Sequence, residues 1–230
     1  MSELPQLRDA IEAATQTLRA LSSLEPQITE AAGVIGRSLR TGNKLLVCGN
    51  GGSAADASHF ATELVVRFAK ERRALPAICL TSDSGILTAA GNDYGFDEIF
   101  ARQVAAFGVS GDVLICLTTS GKSRNLIRAL EEAKARGLKT IAFLGRDGGS
   151  TVGIADLDVL VKSDSTARVQ EAKARQMKTI AFLGRDGGST VGIADLDLLV
   201  KSDSTARVQE AHQLLLHVLC EIIESRLSNA

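Results

Sequence analysis

The stretch KLLVCGNGGSAADASHFATEL, residues 44–64, runs from a short apolar strand through a glycine-rich turn into a helix without a break. Lys44–Cys48 is an apolar, β-rich run, Gly49–Ser53 is built almost entirely of small residues, and the chain from Ala54 onward has helical periodicity. Three more runs of the strand type lie downstream, at Leu75–Leu80, Asp112–Leu117 and Thr140–Leu144. Helical stretches at Ala54–Phe68, Asp97–Phe107 and Asn125–Arg136 separate them. Apolar strands alternating with helices predict an α/β fold with a mostly parallel sheet covered on both faces. Upstream, Leu7, Ile11, Ala14, Leu18 and Leu21 recur at helical spacing and a second helical pattern begins after Pro26, so an N-terminal helical hairpin is expected. Thr205–Arg226 reads as a long amphipathic helix. No Pro-, Gly- and Ser-rich linker divides the chain, so residues 1–230 are expected to form a single domain.

Composition narrows the function classes. The 230 residues are 45% hydrophobic and 23% charged, with 26 basic against 27 acidic side chains and a net charge of −1. A nucleic-acid surface needs a clustered basic excess, and a base-stacking platform needs aromatics; here these are 3%, with no Trp. No run approaches the ~18 apolar residues of a membrane span, and MSELPQLRDAIEAA is neither a signal nor a transit peptide. A cytoplasmic protein without nucleic-acid or membrane partners is expected. The four cysteines, Cys48, Cys79, Cys116 and Cys220, are far apart and read as reduced core thiols rather than as disulfides or a thiolate metal site.

The chain also repeats itself. Glu132–Gln170 recurs as Glu171–Gln209, an offset of 39 residues, with changes only at Gly137/Gln176, Leu138/Met177 and Val159/Leu198. Two nearly identical copies do not make a solenoid, which needs about three or more units. They read as a tandem duplication, and removing one copy leaves 191 residues, the size of one α/β domain. Only the second copy runs on into an apolar-striped helix that carries His217 eight residues past its Gln209; eight beyond Gln170 is Lys178. The first copy is therefore expected to be the insertion. Both copies' strands should nevertheless fit the same sheet positions almost equally well.

Two loops could hold phosphate. Gly49-Asn50-Gly51-Gly52-Ser53 opens directly into a helix, whose first N–H groups and positive dipole end favour an anion. The alternative is a tight strand-to-helix turn with Ser53 as the N-cap. The second loop, Thr118-Thr119-Ser120-Gly121-Lys122-Ser123-Arg124-Asn125, carries four hydroxyls and again enters a helix. It is not a P-loop, because Cys116 stands where that pattern requires glycine. Two such loops at the carboxyl edge of one sheet favour an anion site. Beyond the first, His59 and Glu63 share a helix face at i, i+4. The remaining imidazoles, His212 and His217, both lie on the last helix, as does Gln209. Spacing leaves open whether these are buried polar groups, a surface pair, ligands of a divalent ion or proton-transfer groups.

Four ordered stretches, Cys48–Phe68, Ala89–Val104, Thr118–Asn125 and Ser204–Glu224, resemble the bacterial phosphoheptose isomerases, a family of the SIS (sugar isomerase) fold. The resemblance spans the chain apart from the additional repeat copy. It implies an SIS-type α/β three-layer sandwich, doubly wound and flavodoxin-like, assembled as a homotetramer with active sites at subunit interfaces. The implied reaction converts the sugar phosphate sedoheptulose 7-phosphate to D-glycero-D-manno-heptose 7-phosphate, the first step towards activated heptose for lipopolysaccharide or another surface glycan. By motif, His59, Glu63, Gln209 and His217 correspond to the family's zinc (Zn2+) ligands, and Glu63 and His217 to its proposed acid/base pair. Ser53, Thr119, Ser120 and Ser123 correspond to its phosphate-contacting hydroxyls and Asp93 to an acidic residue lining the sugar site; Asn50, Gly51, Gly52 and Gln209 complete the expected substrate-binding set. A rival of another class is a non-catalytic SIS protein that binds the replication initiator; Glu63 and His217 together favour the enzyme. A third reading is an isomerase that the duplication has inactivated.

Overall fold

The computed structural model describes residues 9, 11, 12, 14, 15, 17–19, 21–144, 149–160, 180–182, 196–198 and 205–227. Five strands form one all-parallel sheet: β1 (Leu45–Gly49), β2 (Ala77–Cys79), β3 (Val113–Thr118), β4 (Lys139–Leu144) and β5 (Leu157–Leu160), in the order β2-β1-β3-β4-β5. β1 and β3 are buried along their whole length, as expected for central strands covered on both faces.

Helix α1 (Glu25–Arg40) carries Pro26 in its first turn, and α2 (Gly52–Val65) comes directly after β1. α3 (Ser84–Tyr94) and α4 (Ile99–Phe107) connect β2 to β3, α5 (Arg124–Ala135) connects β3 to β4, and α6 (Thr205–Leu227) comes last. α1 and α2 pack on α6 in one layer, while α4 packs on α5, which lies against β3 and β4. The expected α/β sandwich is present. Of the expected N-terminal hairpin, α1 supplies the second arm. The first arm lies partly outside the described residues, of which those from Asp9 to Arg19 are helical and lead into a 3-10 turn at Leu21–Leu24.

The helix at Ser84–Tyr94 is not among those expected from the sequence, where Gly85 and Gly91 weaken helical propensity. What starts α3 is local: the Asp83 carboxylate accepts the Ile86 N–H at 2.9 Å, an N-cap bond.

Both copies of the repeat contribute strands among the described residues. The first copy, not the second, fills the sheet, as β4 and β5. The second copy forms β6 (Ile180–Phe182) and β7 (Leu196–Leu198), which pair with each other in a separate two-stranded sheet. Each copy makes the same parallel pair in the same register, Ile141 opposite Leu157 in one and Ile180 opposite Leu196 in the other. Chain connection breaks the tie. α5 ends in a tight turn in which Gly137, at φ +74°, donates to the Lys134 carbonyl and Leu138 to the Ala133 carbonyl, each at 3.0 Å. That left-handed residue is glycine only in the first copy; the second has Gln176. Gln170 lies outside the described residues.

Candidate active site

β1 and β3 are neighbours in register, Cys48 opposite Cys116 and Gly49 opposite Leu117, so the loops that leave them emerge side by side at the carboxyl edge of the sheet. The first loop turns sharply into α2. A Cβ on Gly49 would collide with the Ser53 carbonyl, so only glycine allows the strand to meet the helix this closely. The N-cap is Gly51, with no side-chain cap, and Ser53 lies buried in the first turn, which corrects its reading as the capping residue.

In the second loop Thr118 Oγ1 accepts the Gly121 N–H at 3.1 Å, and Ser120 Oγ accepts the Lys122 N–H at 3.3 Å. Ser123 is the N-cap of α5, yet its hydroxyl makes no cap bond and remains available to a ligand. Thr151 props the loop from behind, donating its N–H at 2.9 Å and its hydroxyl at 2.7 Å to the Gly121 carbonyl. The two loops are tied together by a reciprocal amide pair. Asn50 Nδ2 donates to Asn125 Oδ1 at 3.0 Å, and Asn125 Nδ2 donates back to Asn50 Oδ1 at 2.9 Å.

One turn and more along α2, His59 and Glu63 meet His217 of α6. His59 Nε2 lies 2.9 Å from His217 Nε2 and 3.5 Å from Glu63 Oε1. Two imidazole nitrogens at that separation need a proton or a cation between them. His217 is also touched by Gln213 Nε2 at 3.2 Å and is stacked by the Phe68 ring, with centroids 5.3 Å apart. Behind the site, Glu224 takes the N–H groups of Phe68, Ala69 and Lys70 at 3.0, 3.2 and 3.0 Å. It also pairs with Arg72 Nε at 2.9 Å. Burial pushes the Glu224 carboxyl up, but these hydrogen bonds outweigh it and hold the group below its usual value.

One expected member stands apart, and another falls outside the described side chains. Asp93 is exposed on α3, accepts from Asn92 at 2.8 Å and lines a groove between α3 and α4, where Arg102 lies over the Tyr94 ring. Gln209 lies on α6, but its side chain is outside the described residues. Among the described residues no three His, Cys, Asp or Glu side chains surround a common metal centre. For the zinc reading the fit is one of donor type. Two imidazoles and a carboxylate are usual zinc ligands.

The cysteines agree with their sequence reading: all four are free, Cys48, Cys116 and Cys220 are buried, and burial pushes the Cys220 thiol up to about 12. No helix among the described residues is long and apolar enough to cross a membrane.

The SIS-domain family profile matches residues 10–145. A phosphoheptose isomerase of Geobacter sp. strain M21 is 51% identical over 168 residues, covering 73% of this chain and 88% of that protein. The chain belongs to the phosphoheptose isomerase family. Two solved members have the same fold throughout. That from Francisella tularensis has a TM-score of 0.71 at 35% identity and covers 98% of this chain and 100% of its own. GmhA from Neisseria gonorrhoeae has 0.66 at 33%, covering 97% and 98%.

In this phosphoheptose isomerase fold, His59 meets both Glu63 and His217, and the loops that carry Gly51–Ser53 and Thr119–Ser123 are linked through Asn50 and Asn125. Sequence reasoning missed Phe68, Gln213, Arg72, Glu224, Asn125 and Thr151. Gln213 sits one helical turn before His217, a spacing that could have found it. The others act on residues distant in the chain and leave no such local signal.

Proposed function

We propose that this chain isomerises sedoheptulose 7-phosphate to D-glycero-D-manno-heptose 7-phosphate in the cytoplasm, supplying the sugar for a surface glycan. The observation that carries the reading is the convergence of His59, Glu63 and His217 beside a pair of tied anion loops, in a chain about half identical to named phosphoheptose isomerases. The substrate's phosphate takes its donors from Ser53, Thr119, Ser120 and Ser123 and from the starts of α2 and α5. The loops hold that end fixed, which leaves the sugar's carbonyl end to reach the histidine cluster. Moving the carbonyl from C2 to C1 removes a proton from C1, returns one to C2 and shifts one between the two oxygens. Glu63 and His217 divide these transfers, one at carbon and one at oxygen.

The ligand set is His59, Glu63, His217 and Gln209, with zinc as the ion. Bound there, it would supply Lewis-acid stabilisation of the negative charge that develops on the substrate oxygens.

We also read the protein as a homotetramer with sites completed between subunits. Tyr94 and Phe96 are exposed at 56% and 64%, beside Asp93, which its own chain does not join to the loops. An apolar groove of about 290 Å3 lies between the N-terminal helical residues and α6, lined by Leu18, Leu21, Ile28, Leu214 and Val218. Light scattering should give a mass of four chains.

Direct observation of the aldose by NMR tests the reaction. Glu63→Gln and His217→Asn should each remove turnover while leaving the melting temperature and mass unchanged. Turnover at the wild-type rate in either variant overturns the acid/base roles, and no turnover by the unaltered, zinc-loaded protein overturns the reaction.

A further inference from the structure

We propose that Arg72 and Glu224 are positioning residues that set Glu63 and His217 in register across the α2–α6 contact. The assignment rests on the acid/base reading of those two side chains. Arg72 and Glu224 are 5% and 2% exposed, so their ion pair is buried. Besides a bond from Nη1 to the neighbouring Arg73 carbonyl at 3.0 Å, the planar guanidinium reaches three ways. Its Nη2 donates to the Glu63 carbonyl at 2.7 Å, its Nη1 to the Leu64 carbonyl at 2.9 Å, and its Nε to Glu224 at 2.9 Å. Those carbonyls belong to the last turn of α2, where the helix offers no partner of its own. Arg72 therefore fixes where α2 ends, and with it the backbone from which Glu63 projects.

Glu224 fixes the other side. It lies seven residues past His217, two turns along the same face of α6. By accepting the Phe68, Ala69 and Lys70 N–H groups it draws the segment after α2 onto α6, and Phe68 thereby stacks on the His217 ring at an interplanar angle of 29°. The path from the Glu63 carbonyl through Arg72, Glu224 and Phe68 to His217 is continuous.

A buried ion pair is poor support for stability as such, because an apolar pair of similar volume often serves equally well. What a guanidinium fork holding two carbonyls and a carboxylate supplies is direction, which an ammonium or an alkyl group does not. The named partners all lie at the end of α2, in the segment after it and on α6. Disturbing them should move the reacting groups and leave phosphate capture alone.

The test is Arg72→Lys in the zinc-loaded, full-length protein, with Glu224→Gln as the second variant. Arg72→Lys should lower kcat about ten- to a hundredfold, the usual effect of an ångström-scale misplacement, with KM for sedoheptulose 7-phosphate changed by less than about threefold. The second readout does not need turnover. In the proton–carbon spectrum the His217 ring signal, assigned by its loss in His217→Asn, should move towards the position of an unstacked imidazole as Phe68 leaves it. Wild-type kcat in Arg72→Lys overturns the proposal. So does a rise in KM at constant kcat, or a His217 signal that stays in place. If Arg72→Lys does not fold, Glu224→Gln is judged by the same outcomes. If the unaltered protein turns over no substrate, the functional reading fails, and the His217 signal alone decides the positioning.

Discussion

Replacing His212 with leucine and measuring stability against pH tests how completely α6 is sealed against the sheet. His212 is fully buried and stands edge-on to Phe143 of β4, with ring centroids 6.1 Å apart. Neither ring nitrogen has a hydrogen-bond partner among the described residues. Burial pushes the imidazole down to about 4 from its usual 6.5, and the nearby Leu144 carbonyl offsets part of that. The charge of the ring sets the sign. Above pH 6.5 the ring is neutral in both folded and unfolded chains and contributes no pH dependence. As pH falls towards 4 the unfolded chain takes up the proton and the folded one does not, so stability is lost. The loss is about 1 kcal/mol at pH 5.5 and about 2 to 3 kcal/mol at pH 4.5. Urea melts of the wild type and of His212→Leu at pH 7.5, 6.5, 5.5 and 4.5 measure it, because every other titrating group cancels in the difference between the two curves. The difference should be flat down to pH 6.5 and then widen by those amounts. Parallel curves across the whole range would refute a buried, neutral His212.

Gly49→Ala should push the first turn of α2 away from β1, because the new Cβ meets the Ser53 carbonyl. A melting temperature lower by about 4 °C or more, together with a raised KM, is expected. An unchanged melting temperature would mean that the turn relaxes freely. Asn125→Ala unties the two loops and should raise KM for the phosphorylated sugar about tenfold with kcat held, as for one to two lost hydrogen bonds; an unchanged KM would remove the amide pair from the site's description. Deleting Glu171–Gln209 or Glu132–Gln170 gives two 191-residue proteins that differ only at the three variable positions. The first keeps Gly137 in its left-handed turn and the fully buried Val159, and in urea melts should be the more stable by about 1 to 3 kcal/mol. Equal stabilities would refute the account of why the first copy occupies the sheet.

Much of this arrangement was legible from residues 44–64 and their echoes downstream, because a central parallel strand must be apolar on both faces and must end in small residues where a helix turns back. The four principal strand runs and the helices after them fall within a few residues of their expected places. What could not be read had two causes. α3 depends on one carboxylate at Asp83, against two interior glycines that argue for a loop. Arg72 lies in the charged run Arg67–Arg73, which looks like a solvated surface until α6 brings Glu224 against it from more than 150 residues away. The histidine cluster has the same difficulty: His59 and His217 are 158 residues apart, and only family resemblance joined them before the fold did. The repeat is a different case. Two copies of one strand pair carry the same pattern, so periodicity ranks them equally, and a single glycine at the end of α5 tips the balance.

That redundancy has a consequence for how the chain tolerates change. A substitution at Phe143 or Val159 disturbs a packed sheet, whereas its counterpart at Phe182 or Leu198 falls on a strand pair that the five-stranded sheet does without. The two copies are almost identical in sequence but differ in place: one supplies two strands of the five-stranded sheet, the other a two-stranded sheet of its own.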